Sequence, residues 1–358
     1  MNKTLSIIIP TYNMEKYLHK CLDSLIVSDE NMKQLEVLVI NDGSKDSSSK
    51  IGHEYEAKFP QTFRVIDKEN GNYGSCINRG LKEATGKYVK VLDADDYYDV
   101  TVFNRFIAFL ENKDVDLVIN EYCIFDENDI ITECYSFNLP IERVFDLDEF
   151  PDFMSTWLWH HGITYRTQML QDMKYQQTEG ISYTDDEWIF KPMVHVKRVF
   201  YFPERLYYYL RGREGQTFDP KVLKKSLGNK IIVARSMLEY YNMVTSNETV
   251  QLPRYCYLKL KQRLIVLYNY IITKQYTEEC NTMLAELDKA MANLAPSVYQ
   301  DLNLVSNRFG QKYINKWRKK GYLPLNGLLL LYKVRTSLSS LFHLNDNSLK
   351  MPDSLKRN

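Results

Sequence analysis

VLDADDYYD, Val91–Asp99, ends an apolar run with three carboxylates almost side by side. Asp93, Asp95 and Asp96 repel one another, and aspartate is a poor strand former. The chain must therefore expose them to water or bring a cation to them. The run that leads into them, KYVKVLD from Lys87, reads as a strand, and the same grammar recurs upstream. LSIIIPTYN (Leu5–Asn13) and LEVLVINDGS (Leu35–Ser44) are continuous apolar runs, the mark of strands covered on both faces. FRVIDK (Phe63–Lys68) and VDLVINEY (Val115–Tyr122) read as two more. Helical patterns fall between them. Lys16–Val27 spaces Leu18, Leu22, Leu25 and Ile26 helically, and Asp46–Phe59 presents Ile51, Tyr55 and Phe59 on one face. A Gly-rich loop then leads into a short helix ending near Ala84–Gly86, and Val100–Leu110 forms another. Alternation of this kind predicts an α/β fold: a mostly parallel central sheet flanked by helices.

In open sheets of this type ligands sit outside the carboxyl ends of the strands. Thr11–Asn13, Asn41–Ser44 and Asp93–Asp96 all fall there if the strands are parallel. Two carboxylates one residue apart suit a hard divalent cation completed by water and phosphate oxygens. The competing explanation is that Asp95 and Asp96 merely cap the helix starting near Val100. No G-x-G-x-x-G follows the first strand and no Walker loop is present, so phosphates would be met by metal and cations.

The 358 residues exceed one ordinary core and predict a main domain over 1–218 and a helical region over 219–358. The main domain divides into a half with regular strand-helix alternation, 1–125, and a half of irregular, mixed pattern, 126–218. Lys+Arg and Asp+Glu both number 46, which argues against nucleic acid as a partner. Between Gly310 and Leu344, however, seven Lys or Arg and no acid leave the rest near −7. That segment also carries Trp, Tyr and Leu. It fits an interfacial helix on anionic lipid, a solvated helical cap, or a surface for a homodimer. Six Cys without CxxC spacing read as reduced thiols in the cytoplasm. The early apolar run, stopped by Pro10, is too short for a signal-peptide core, and Leu328–Tyr332 is too short to span a bilayer. A cytoplasmic protein, peripheral on the inner face of the membrane, is the expectation.

Taken in order, IIIPTYN, VLVINDGS, NGNYGSCINRGL and VLDADD resemble the family-two inverting glycosyltransferases with the A-type, nucleotide-diphosphate-sugar-binding fold, from residue 4 to about 215. The resemblance implies a nucleotide-sugar pocket built from Pro10, Thr11, Tyr12 and Asn13. Asp42 would accept a hydrogen bond from the base, usually uracil. Gly74, Ser75, Asn78, Asp93 and Ala94 would complete the pocket, with Asp93 near the ribose. Asp95, together with Asp93, would hold Mg²⁺ or Mn²⁺. Where many members have Ala-Arg-Asn this chain has Cys76-Ile77-Asn78, so an Arg contact is missing.

Inverting transfer needs one general base. ISYTDDEWIFKPM supplies Asp185, Asp186 and Glu187, and resembles the family's Glu-Asp pair. That alignment makes Asp186 the base, with Glu187 as second choice; helix capping is the structural alternative. Arg211 and Arg213, in YYYLRGREGQT, would share a face on a strand and meet diphosphate oxygens. His160 and His161 would face opposite sides of a strand, so at most one reaches the site and a structural role is favoured. Trp157 and Trp159 could stack on an acceptor sugar, with core packing as the plainer reading. The expectation is a metal-dependent transfer of a hexose or N-acetylhexosamine from a UDP-sugar to a glycan or lipid-linked saccharide. The alternatives are a sugar-phosphate nucleotidyltransferase, which would want a Gly-rich basic loop after the first strand, and a non-catalytic scaffold, which would have lost an acidic member.

Overall fold

The computed structural model describes residues 3–149, 158–213, 216, 226–247, 252–274, 276–307 and 310–328. They divide into two compact units, one running to about residue 222 and a helical one beyond it. In the first, the apolar runs become strands β1 (Leu5–Thr11), β2 (Leu35–Asn41), β3 (Phe63–Asp67) and β4 (Tyr88–Val91). Further strands are β5 (Tyr97–Tyr98), β6 (Leu117–Phe125), β7 (Ile131–Tyr135), β8 (Val144–Phe145), β9 (Ile163–Arg166) and β10 (Val199–Leu210). They form one ten-stranded sheet whose main path runs β3-β2-β1-β4-β9-β6-β10-β5. β1 is parallel to β2 and β4, β2 to β3, and β10 to β6. β9 is antiparallel to both β4 and β6, so those two point the same way. The carboxyl ends of β1, β2, β3, β4, β6 and β10 therefore share an edge. β10 stays one strand through Pro203 by shifting register between Phe202 and Arg205, which places the missing N–H at a bulge.

Helices α1 (Leu18–Asp23), α2 (Asp29–Gln34), α3 (Ser48–Lys58), α4 (Asn72–Glu83) and α5 (Val100–Glu111) flank the sheet. The Lys16–Val27 pattern gives only the short α1, because Ser28 caps a new helix by accepting from Asn31 N. α4 lies close on β1: a Cβ at Gly80 would come 2.5 Å from the Ile8 side chain. Later come the short helices α6 (Thr167–Asp172) and α7 (Asp185–Trp188).

Two expectations change here. Cys123 and Cys134 stand opposite each other on β6 and β7 and are joined in a disulfide. Strand register pairs them, which no sequence spacing announced; the other four cysteines are free and buried. His160–Gly162 forms a 3₁₀ turn instead of a strand, so neighbouring histidines need not point apart.

The second unit comprises α8 (Leu227–Thr245), α9 (Arg254–Asn269), α10 (Glu278–Leu294), α11 (Pro296–Leu302) and α12 (Tyr313–Lys319). Its centre is an ion pair, Arg318 to Asp288 at 2.6 Å, which also accepts from Tyr268 Oη at 2.6 Å. Tyr313, Ile314 and Trp317 are buried, and Trp317 Nε1 donates to Asn281. The aromatic anchors expected at a lipid surface thus pack inside the bundle, while Lys316, Lys319 and Lys320 are exposed. Residues 329–344 of that basic segment lie outside the described residues. No described helix is long and apolar enough to cross a membrane.

Candidate functional site

Asp93, Asp95 and Asp96 leave β4 on the shared edge, and each has a different fate. Asp96 is buried and accepts from Tyr207 Oη at 2.6 Å and Leu210 N at 2.7 Å, tying the acidic loop to β10. Burial, then the charges of Asp95 and Asp93, push its carboxyl well above the usual range. Asp95 Oδ2 accepts from Arg213 Nε at 2.5 Å. Its carboxyl is raised by burial and by Asp93, against the pull of Arg213. Asp93 Oδ1 accepts from Tyr73 Oη at 2.9 Å, and its Oδ2 lies 3.1 Å from His160 Nε2. Burial opposes ionisation of Asp93, but His160 and Tyr73 outweigh it and hold the carboxyl below its ordinary value. Capping falls to Asp99, which accepts from Val102 N at 2.9 Å, so Asp95 and Asp96 are not the helix caps.

Beneath this loop lies Lys90, fully buried on β4. Its Nζ donates to Asn120 Oδ1 at 2.9 Å, His161 O at 2.8 Å and Ile163 O at 3.2 Å. These bonds fix the turn that carries the histidine pair. His160 and His161 have ring centroids 3.9 Å apart, and His161 stacks on Tyr209 at 4.5 Å. Asp93, His160 and His161 each offer a ligand atom within 4.8 Å of the others.

α4 supplies the next part. Its first turn sends Tyr73 to Asp93, and Ser75 Oγ accepts from Lys68 Nζ at 2.9 Å. Lys68 Nζ is also 2.5 Å from Asp42 Oδ1, and the same oxygen accepts from Gly71 N. Asp42 is buried, and this salt bridge neutralises it. Gly74 and Asn78 act on a different segment. A Cβ at Gly74 would lie 2.0 Å from Thr178 O. Asn78 donates to Gln177 O and Glu179 Oε1 and accepts from Gln177 N. Thr178 in turn donates from N and Oγ1 to Glu187, which is buried and also paired with Lys191 at 2.9 Å. Glu187 thus braces α7 to the 177–179 segment and has no carboxylate turned outward. Of the three acids of α7, Asp185 adds its charge to that of Asp93 in raising Tyr73 and His160. Asp185 and Asp186 are both partly exposed.

Arg211 and Arg213 do not share a strand face. β10 ends at Leu210, and Gly212, with φ +106°, turns the chain between them. Arg213 turns to Asp95 and lies over Tyr17; Arg211 pairs with Glu133 at 3.9 Å. Arg211 also lines a small aromatic recess with Trp159, His161 and Tyr209. Trp157 lies outside the described residues.

A larger cleft of about 520 Å³ opens beyond β1, β2 and β3, between Tyr12, Asn41, Gly43, Lys45 and the Asp67–Asn70 segment. Tyr12 is exposed there, while Thr11 is buried and Pro10 continues the β1 ladder against Ile40. Asn13, at φ +54°, ties this loop to the β2 loop by accepting from Lys45 N and donating to Ser44. Ala94 is buried between the two acidic positions. Lys68, Tyr73, Lys90 and Tyr207 escaped the sequence reading as site residues, and His160 was weighed there with a structural role favoured. Only the position of Lys68 directly after an apolar strand hinted at a place on the shared edge.

A mixed sheet whose parallel strands bring this aspartate loop and the cleft to one edge is the A-type glycosyltransferase architecture, and solved structures align with it. S. aureus TarS in complex with UDP matches over 89% of this chain and 92% of that one, with TM-score 0.56 and 20% identity. TarS with UDP-GlcNAc matches over 83% and 90%, with TM-score 0.51 and 19% identity. At such identity the likeness speaks for the fold. Residues 6–173 match the model of glycosyl transferase family 2, and the chain carries a glycosyltransferase domain of that family. An uncharacterized glycosyltransferase of Mycoplasma genitalium is 38% identical over 126 residues, 34% of this chain and 41% of that protein. The Escherichia coli glycosyltransferase YibD is 30% identical over 225 residues, 59% and 63% of the two chains. The chain spans well under half the length of the first of these and somewhat under two thirds of the second.

Proposed function

We propose that the protein transfers a hexose or N-acetylhexosamine from a UDP-sugar to an acceptor hydroxyl on a bacterial glycan or lipid-linked saccharide, with inversion. Asp185 is the general base in this reading. What supports it is that Asp185 is partly exposed at the start of α7 while Glu187 is buried, and that the Asp185 charge adds to that of Asp93 in raising Tyr73 and His160, the two side chains that hold Asp93. A carboxylate so disposed would serve the aspartate loop, on the edge where a diphosphate would lie. Asp186, favoured by alignment, becomes the second choice, and buried Glu187 drops out.

The cleft beside Tyr12 and Asp67–Asn70 has the volume of a nucleotide pocket. Lys68 and Gly71 hold the Asp42 carboxylate at its margin. The TarS complexes with UDP and UDP-GlcNAc support a uridine nucleotide there. Asp93 and Asp95 would hold Mg²⁺ or Mn²⁺, and the guanidinium already resting on Asp95 marks that carboxylate as one that draws a cation. When bound, such an ion supplies charge neutralisation for the leaving diphosphate. Asp185 would take the acceptor's proton as the new C–O bond forms and the sugar–phosphate bond breaks. Arg213, released from Asp95, would meet a diphosphate oxygen.

The test is UDP release from UDP-GlcNAc with a saccharide acceptor. Asp185→Asn should keep UDP affinity and lose roughly 10²–10⁴-fold in turnover, whereas Asp186→Asn should lose less than about tenfold. The opposite order returns the role to Asp186, and near-normal turnover in both variants removes this segment from the chemistry.

A further inference from the structure

Asp93 is the one member of the acidic loop in hydrogen-bond contact with a histidine, and the surroundings of that contact are unusual. His160 and His161 are 7% and 3% exposed. His160 uses Nε2 on Asp93, and its Nδ1 has no hydrogen-bond partner. His161 has none on either ring nitrogen. Buried polar atoms are nearly always satisfied, so three orphaned imidazole nitrogens at one turn are an anomaly. They stand beside a carboxylate, and one ligand atom from each of the three residues falls within 4.8 Å of the others. Lys90, bonded to His161 O, pins the turn so that both rings stay on the side of Asp93.

We propose that Asp93, His160 and His161 form a nitrogen-rich cation site, so that the divalent ion taken here is a transition metal and not Mg²⁺. Imidazole suits zinc, copper, iron and nickel, whereas carboxylate, carbonyl and water oxygens suit magnesium. The histidine contact on Asp93 at 3.1 Å would then be the metal-free arrangement of two neighbouring ligands. This deepens the reading of Asp93 as a cation-holding carboxylate and rests on it, but it makes a separate claim about which atoms bind the ion.

The experiment uses the full chain and the metal alone. Co²⁺ is titrated into the protein without nucleotide, and the visible absorption and the binding heat are recorded for wild type, His160→Ala and His161→Phe. The phenyl ring keeps a stack against Tyr209 but offers no nitrogen. Each variant should bind Co²⁺ at least about tenfold more weakly, of the order seen when ligand support is lost, and lose the nitrogen-ligand absorption, while Mg²⁺ binding stays as in wild type. Electron spin-echo modulation of Mn²⁺ on the wild-type protein needs no variant and should show directly bonded nitrogen. Unchanged Co²⁺ affinity in well-folded variants, or Mn²⁺ without nitrogen coupling, overturns the histidine site while leaving metal-dependent transfer intact. Failure of the wild-type protein to bind UDP with any metal would instead sink the transferase reading.

Discussion

Arg213→Gln should make the protein bind Mn²⁺ more tightly on its own, yet bind UDP together with Mn²⁺ less tightly. The argument starts from the 2.5 Å separation of Arg213 Nε and Asp95 Oδ2, with the two side chains 17% and 9% exposed. An ion on Asp95 competes with that guanidinium for the same carboxylate. A hydrogen bond between charged groups is worth about 1.5–3 kcal/mol net, and each ~1.4 kcal/mol is a factor of ten. Removing the competitor should therefore tighten Mn²⁺ binding by roughly 10- to 100-fold. Burial and Asp93 already raise the Asp95 carboxyl, and Arg213 opposes them. In the variant a proton competes better for Asp95, so the gain should be largest at mildly alkaline pH and shrink as pH falls.

With UDP present the sign reverses, because the freed guanidinium is the group that would meet the diphosphate. Calorimetry and Mn²⁺ paramagnetic resonance, with and without UDP, separate the two effects. The reasoning fails if Mn²⁺ affinity without nucleotide is unchanged or lower in the variant. Wild-type UDP binding that survives chelator would fail it differently, since Arg213 would then be the site's own permanent cation.

Two further outcomes test the support around the site. Gly74→Ala should force Thr178 away, since the new methyl would meet its carbonyl oxygen at 2.0 Å. Overpacking of that kind costs about 1–3 kcal/mol, or roughly 2–4 °C in melting temperature per kcal/mol, and turnover should fall with it because Thr178 positions Glu187 and hence α7. His53→Gln probes pH dependence at the margin of the cleft. His53 bonds Asp67 at 2.9 Å and Glu56 at 2.7 Å, and these partners raise its pKa. Its contribution is then fully present below the ordinary histidine value and disappears as pH rises through the raised one. The variant should be less stable by a few tenths of a kcal/mol to about 1 in acid, given the solvent exposure, and equal to wild type above that range. Thermal melts across pH would contradict this if the gap widened in alkali.

How much of this was legible in the sequence follows from which contacts are local. β1 and β2 are covered on both faces and read as unbroken apolar runs, so the strand-helix alternation and the loaded edge could be foreseen. The four-residue β9 and the turn before it carry no such signal. Their place between β4 and β6 is set by Lys90, which in KYVKV looks like the outward residue of an alternating strand and is fully buried. The Arg213–Asp95 pair spans 118 residues, beyond any local pattern. Which carboxylate serves as base was open in the sequence for a geometric reason. Asp185, Asp186 and Glu187 occupy one helical turn, where successive side chains diverge by about 100°, so their order in sequence cannot say which one faces the aspartate loop. Packing narrows it. Trp188 and Glu187 are buried and Glu187 is tied to Thr178 and Lys191, which leaves Asp185 and Asp186 as the partly exposed acids of the turn. A substitution that rotates α7, such as Glu187→Ala, should therefore injure turnover as much as loss of Asp185 itself, although Glu187 has no carboxylate oxygen turned outward.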